Sequence, residues 1–284
     1  MRMIGKIRHA IAGGPESLRR STAPDFALDC GVLKHAAAPG TYRHVRYPPC
    51  EVLSDWVRHF WVESWDLRAR APQVREVLPH PCVHLVLARG RSRVYGVQLQ
   101  RMARELKGQD CIVGVKFRPG AFYPFLRRPV LSLANGSVPA GDLLRGIEEA
   151  EQALQNCRDE RGRVEIASRL LLDNLPVTDP LMKRAGAMVE RVMVDGSITR
   201  VEHLVAKHDM SARTLQRLFS RYVGANARWV IKRYRVFEVL NRLAAGGEVD
   251  FAALAQDLGY YDQAHFINDF RTLVGQSPSA YLRF

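Results

Sequence analysis

The chain has 284 residues, 47% of them hydrophobic, more than the roughly 150 of a typical domain and apolar enough to build cores, so predominant disorder is excluded and two domains are expected. Its 42 Lys and Arg outnumber 29 Asp and Glu for a formal net charge of +13, which points to an anionic partner, nucleic acid first. Five cysteines without a Cys-x-x-Cys pair fit a reducing cytoplasm, and no stretch approaches the ~20 apolar residues of a membrane span.

Residues 1–40 show no clear pattern and are read as an unassigned leader. Arg2, Lys6 and Arg8 interrupt the apolar residues at the amino terminus, so no signal-peptide core is expected. Residues 41–145 read as a β-rich sensing or interaction domain. Its β-branched and aromatic runs, Val83 to Leu87, Val94 to Val97 and Ile112 to Phe117, are bounded by Gly, Pro and Arg clusters.

Three groups in that domain invite chemical readings. On a strand His80, Cys82 and His84 would share a face and could ligate zinc. Pro79 and Pro81 place His80 ahead of the strand, however, and no spacing supplies a fourth ligand, so no metal is expected. Arg118, before Pro119-Gly120, could sit at a turn over a pocket and pair with an anionic effector, or form a structural salt bridge. Trp56, Phe60, Trp61 and Trp65 are expected to fill the core of one element rather than line an aromatic cage.

Residues 146–180 read as an acidic helical connector. Glu148, Glu149 and Glu151, then Ile166, Leu170, Leu171 and Leu175, predict two helices, and Pro176 and Pro180 mark a linker.

From residue 181 the chain reads as helices with their own caps. Thr199-x-x-Glu202 predicts a capping box and a helix from about Arg200 to near Asp209. Ser211 caps a second helix that buries Leu215, Leu218, Phe219 and Tyr222 and turns Arg213, Gln216, Arg217 and Ser220 outward. Ala227 to Ala245 reads as one long helix. Asp250 then caps a helix with Leu254, Ala255 and Leu258 inward, Gly259 turns the chain, and Asp262 caps a helix with Phe266, Phe270 and Val274 inward. Ser211, Leu215, Phe219, Val223 and Gly224 each precede Asp262, Phe266, Phe270, Val274 and Gly275 by 51 residues, the signature of an internal repeat. Helix, tight turn and polar-faced second helix is the helix-turn-helix plan. Lys207 to Arg235 adds eight basic residues against one acid, Asp209.

Leu204-Val205, Met210-Ser211, Leu215-Gln216-Arg217-Leu218-Phe219, Val223-Gly224, Leu254-Ala255, Leu258-Gly259-Tyr260, His265-Phe266, Phe270-Arg271, Gly275 and Ser277-Pro278 resemble the AraC/XylS family of bacterial transcription regulators, over roughly residues 183–284. The resemblance implies DNA contacts from Ser211, Arg213, Gln216, Arg217 and Arg221 in the first unit, and from Gln263, His265, Asn268 and Arg271 in the second. Two departures stand out: Asp209 replaces the usual turn Gly, and Asn268-Asp269 replaces a commonly basic position, so the second unit is expected to bind phosphate more weakly. Val77-Leu78-Pro79, His84 to Leu87 and Gly114 to Ala121 are similar to a β-rich domain found ahead of some such regulators, whose ligand is not established.

The expected architecture is therefore α+β, a β-rich amino-terminal domain followed by an all-α domain, 181–284, with two helix-turn-helix units joined by a long helix. The expected function is sequence-specific, effector-responsive transcription regulation in the cytoplasm, carried here as activation and without catalysis or cofactor. Double-stranded DNA is the expected partner, with RNA polymerase, a small-molecule effector and a second copy of the chain as further candidates and no membrane. The competing class is a Cys-dependent DNA-repair methyl acceptor that uses this helical domain for delivery. Such acceptors lie in Pro-Cys-His-Arg, whereas Pro81-Cys82-Val83-His84 displaces the His and lacks the Arg.

Overall fold

A computed structural model describes residues 41–246 and 249–283; the predicted leader, with Cys30, lies outside the described residues. Eight strands come first: β1 (Tyr42–Tyr47), β2 (Val57–Leu67), β3 (Gln73–Val77), β4 (His84–Leu87), β5 (Arg93–Tyr95), β6 (Met102–Leu106), β7 (Gly108–Phe117) and β8 (Ser137–Pro139). Six form an antiparallel sheet in the order β1-β2-β7-β4-β5-β8, while β3 and β6 pair as a separate ribbon. Side chains alternate across a strand, and the sheet uses both faces. Phe60, Val62, Leu85, Leu87, Val113 and Val115 point into the main core and are essentially inaccessible, each worth roughly 1.5–3 kcal/mol of burial. The opposite face is treated below.

A short helix, α1 (Tyr123–Leu126), and the connector helices α2 (Ile147–Asn156) and α3 (Glu160–Asp173) follow. The two connector helices match the acidic segment read from sequence. Helix α4 (Pro180–Val194) then starts with Pro180 in its first turn, where the missing N–H costs nothing, and with Asp179 capping it. Its Ala185, Met188 and Val189 join the same apolar core as the sheet.

The backbones of the two regions meet closely here. Gly120 has φ +85°, and a Cβ there would lie 2.8 Å from the Met182 carbonyl oxygen; a Cβ at Gly186 of α4 would lie 2.6 Å from the Pro119 carbonyl oxygen. Arg118 reaches across the seam, donating to the Ser54 carbonyl at 2.6 Å and to Glu190 of α4 at 2.7 Å. The predicted turn exists, but it rests on a helix, and of the two readings of Arg118 the structure displays the salt bridge.

The remaining helices are α5 (Val201–His208), α6 (Ala212–Leu218, continued by a π turn, Phe219–Val223), α7 (Ala227–Ala245), α8 (Phe251–Asp257), α9 (Gln263–Val274) and α10 (Pro278–Tyr281). The caps at Ser211, Asp250 and Asp262 form as expected, accepting from Thr214 N, from Ala252 N and Ala253 N, and from His265 N. The capping box at Thr199 does not. Arg200 occupies the cap position of α5 without a side-chain bond, and the Thr199 backbone N–H turns to His203 Nδ1 at 3.4 Å. Asp209 takes the left-handed conformation, φ 44° and ψ 60°, as its place in the turn requires.

The closeness at Gly120 makes a direct test. Gly120→Ala should lower the urea midpoint, costing about 1–3 kcal/mol, because an L-residue is strained at that φ and its methyl presses on a helix carbonyl; an unchanged midpoint would show that the seam can slide.

Candidate nucleic-acid interface and an enclosed cavity

The repeat read from sequence becomes two superposable arrangements. Leu215, Phe219 and Val223 are buried in the first unit and Phe266, Phe270 and Val274 in the second. Gly224 and Gly275 close the two helices at φ 82° and 91°. Burial of one face leaves the other to solvent: Ser211, Arg213, Gln216 and Arg217 are exposed on α6, and Gln263, His265, Asn268 and Arg271 on α9. Ser211 caps its helix and shares a 2.9 Å hydrogen bond with Thr214 Oγ1. Arg221 is exposed but engaged, with its guanidinium 4.5 Å from the Tyr123 ring and bonded to the Tyr123 hydroxyl.

The eight basic residues between Lys207 and Arg235 do not make one solvated face. Lys207 pairs with Asp195 at 2.7 Å and Lys232 with Asp269 at 2.6 Å. Arg233 is 1% exposed, and the Arg235 guanidinium stands 3.6 Å over the Tyr260 ring. Together with Arg221, five are used internally, which leaves Arg213, Arg217 and Arg228 exposed and without such contacts among the described residues. Asp269 is likewise corrected. It is 9% exposed and ties α9 to Lys232 of α7, with His265 Nε2 3.9 Å away, so it faces the linker helix, and phosphate repulsion from it no longer argues that the second unit binds more weakly. Sequence periodicity contained this signal, since Asp269 directly precedes the inward Phe270.

The second face of the sheet carries the other constellation. Register sets His59, Lys116, His84 and Tyr95 side by side across β2, β7, β4 and β5, and Arg46, Trp61, Gly114 and Val86 in the adjoining row. A Cβ at Gly114 would collide with the Trp61 indole, so glycine lets that ring lie flat on β7. His44 stacks on Trp61 at 5.8 Å, 17° from parallel. Trp61 thus lines a cavity, contrary to its expected core role, while Trp56 and Phe60 are in the main core and Trp65 in a smaller cluster. The β3–β6 ribbon covers this face with Arg75, Val77, Met102 and Arg104, enclosing about 380 Å³.

One carboxylate, Glu63, lines the cavity with five basic side chains, Arg46, Arg75, Arg91, Arg104 and Lys116. Glu63 accepts from Arg104 at 3.0 Å and from the Tyr42 hydroxyl at 2.7 Å, and Arg75 lies 3.7 Å over the Tyr42 ring. Burial, then the positive Arg46, Lys116 and Arg75, lower the His44 pKa to about 4. Burial and Lys116 lower that of His84 to about 3. Cys82 is buried with its Sγ 3.1 Å from His80 Nδ1. Among the described residues no group of three His, Cys, Asp or Glu is placed to hold a metal ion, and no helix is long and apolar enough to cross a membrane.

Residues 204–283 match a family described as a helix-turn-helix domain, and residues 45–139 match a domain of unknown function, DUF6597. No curated protein matches the chain. Solved structures of ToxT from Vibrio cholerae are similar in part: an apo form from strain SCE256 at 14% identity, covering 79% of this chain and 97% of that one with a TM-score of 0.34. A second ToxT structure is 15% identical over 86% and 98%, TM-score 0.35. The unsaturated fatty acid-bound wild-type form is 15% identical over 87% and 97%, TM-score 0.35. At such identity and TM-score these structures bear on neither the ligand nor the detailed geometry of this chain.

Two measurements follow. Asp269→Ala strands Lys232 beside an apolar core and should cost about 1–3 kcal/mol of stability, seen as a lower urea midpoint; equal stability would return Asp269 to the surface. Because His84 ionises far below the ~6.5 of a free imidazole, the unfolded chain binds a proton that the folded chain refuses, and stability drops as pH falls from about 6.5 towards 3. His84→Gln should flatten that decline in urea midpoints taken across the interval, and an unaltered slope would show the ring to be freely protonated.

Proposed function

We propose that this AraC-type helix-turn-helix protein, a DNA-binding transcription regulator, reads two successive major-groove segments of one duplex with α6 and α9. What carries the reading is the pair of equivalently capped helices whose outward polar residues, Arg213, Gln216 and Arg217 on one and Gln263, His265, Asn268 and Arg271 on the other, stay exposed while most neighbouring cations are used internally. The 19 residues of α7 span ~28 Å at 1.5 Å per residue, commensurate with the ~34 Å between successive major-groove faces. Arg213 and Arg217 supply the base and phosphate contacts of the first unit in this reading. Arg221 joins them when it leaves Tyr123.

The reading is non-catalytic and cytoplasmic, with RNA polymerase, a small-molecule effector and a second copy of the chain as its further partners. Cys82 supports the absence of methyl transfer, since it is buried beside His80 rather than displayed near the reading helices. A methyl-transfer assay of the chain against Cys82→Ala should give no transfer in either.

Selection of genomic fragments by the full chain should yield a site bound with a steep inverse dependence on salt, as counterions leave the neutralised phosphates. On that site Arg217→Ala should cost roughly 1–3 kcal/mol and relax preference at one base position. Full retention of sequence preference would make Arg217 a phosphate contact or idle, and binding insensitive to salt would sink the DNA reading itself.

A further inference from the structure

We propose that the cavity between the sheet and the β3–β6 ribbon binds a small organic carboxylate with a flat apolar body, and that its occupancy is passed to the reading helices through residues 77–80 and 98–101. The second half of this statement rests on the DNA-binding reading above; the first does not.

Size comes first. About 380 Å³ lies at the lower end of small-molecule pockets, which run ~300–1,000 Å³, and admits a compact ligand but no polymer. Charge then selects its sign. The five basic groups and one carboxylate of the lining create a positive interior, and enclosure strengthens its field because little water screens it. The depressed histidines report the same field independently. A cation would be repelled, and a neutral ligand would leave that field uncompensated. Lys116, 4% exposed and in register between His59 and His84, stands at the floor as a point charge suited to a carboxylate. Beside it the Trp61 and His44 rings lie nearly parallel, with Val77, Val86, Met102 and Ile112 adding apolar lining. Stacked rings and aliphatic walls accept a flat body.

The readout lies in the walls. Leu78 leaves the cavity rim to enter the second core, among Val236, Val239, Leu240 and Leu243 of α7. The Pro79 carbonyl accepts from Arg233 Nε, and the His80 ring meets Tyr234 and Phe237 edge-on at 6.1 and 6.4 Å. Across the cavity, Gln98 lines the pocket while the adjacent Leu99 carbonyl accepts from Trp229 Nε1 at 3.0 Å. Arg101 pairs with Glu76 of β3 at 2.7 Å and stands against Gly275, the last turn of α9, where a Cβ would come within 2.5 Å of its guanidinium. Any ligand that shifts the ribbon therefore acts on the helix between the two readers and on the end of the second. Differential contact of this kind is what couples two sites.

The test uses the full chain and a panel of phenylacetate, 2-naphthoate, indole-3-acetate and octanoate, each beside its neutral amide, with inorganic phosphate as a further arm. Binding is read by calorimetry and by Trp fluorescence without DNA. At least one carboxylate should bind one-to-one and at least about tenfold tighter than its amide, and Lys116→Met should remove that preference. Should Lys116→Met fail to fold, Met102→Trp, which fills the cavity from the ribbon side, should abolish binding instead. Acids no better than amides, phosphate bound as well as any carboxylate, or no saturable binding across the panel each overturn the ligand class. With a bound acid in hand, duplex affinity should change at least about threefold on saturation, and Leu78→Ala should reduce that change while leaving acid binding intact. Acid binding with no change in DNA affinity overturns the readout, whereas a chain that binds acid but no DNA at any salt overturns the DNA-binding reading alone.

Discussion

A buried guanidinium organises the molecule. Arg233 sits in the middle of α7, 1% exposed, with its carbon centre 3.2 Å from the Phe237 ring centroid and Nε donating to the Pro79 carbonyl. A charge withdrawn from water is tolerable only where donors and ring faces are fixed around it. The carbonyl that satisfies it belongs to the β-rich region, 154 residues away in sequence. The long helix therefore cannot take its place until the segment after β3 is in position, and the cavity rim is set by the same contact.

That helix also changes cores part-way along. Val230, Ile231 and Tyr234 belong to the large core shared with the sheet, α4 and the first unit, whereas Val236, Val239, Leu240 and Leu243 belong to the core of the second unit. The first reader is thus built onto the β-rich body, and Tyr222 reinforces this by donating to Asp179, the cap of α4, at 2.6 Å. The second reader is held by the far end of α7, by Leu78 and by the Lys232–Asp269 pair. One chain carries two similar motifs with different supports, so their sequences match while their mechanical surroundings do not.

The carboxy-terminal elements were legible because their signals are local. A cap is one side chain and a backbone N–H two or three residues on, and α7 runs from Ala227 to Ala245 as read from its periodicity. Thr199 misled because its local option lost to another: its side chain packs against Gly259, joining the turn of the second unit to the approach to the first. In the amino-terminal region β4, β5 and β7 were anticipated within a few residues, but β1, β2 and the ribbon were not. Their inward positions carry Tyr42, His44, Arg46, His59, Glu63, Arg75 and Arg104, residue types that ordinarily mark a solvent face. The alternation was present, and only pairing across four strands reveals that its polar half encloses a cavity. Asp269 and Arg233 were read as surface for the same reason, since charge alone does not say which side of a helix is covered.

The glycine-lined seam between Gly120 and Gly186 bears on how such a chain can be recombined. Contacts between side chains can be rebuilt by compensating substitutions, but a contact of backbone on backbone offers no atoms to vary. A β-rich region transplanted onto another helical domain keeps its footing only if α4 travels with it, together with the Arg118–Glu190 and Lys183–Asp55 pairs that straddle the joint. The natural unit of exchange is accordingly 41–194, and the boundary suited to chimaeras falls between α4 and α5, beyond the proline-marked linker where a change of composition suggests cutting.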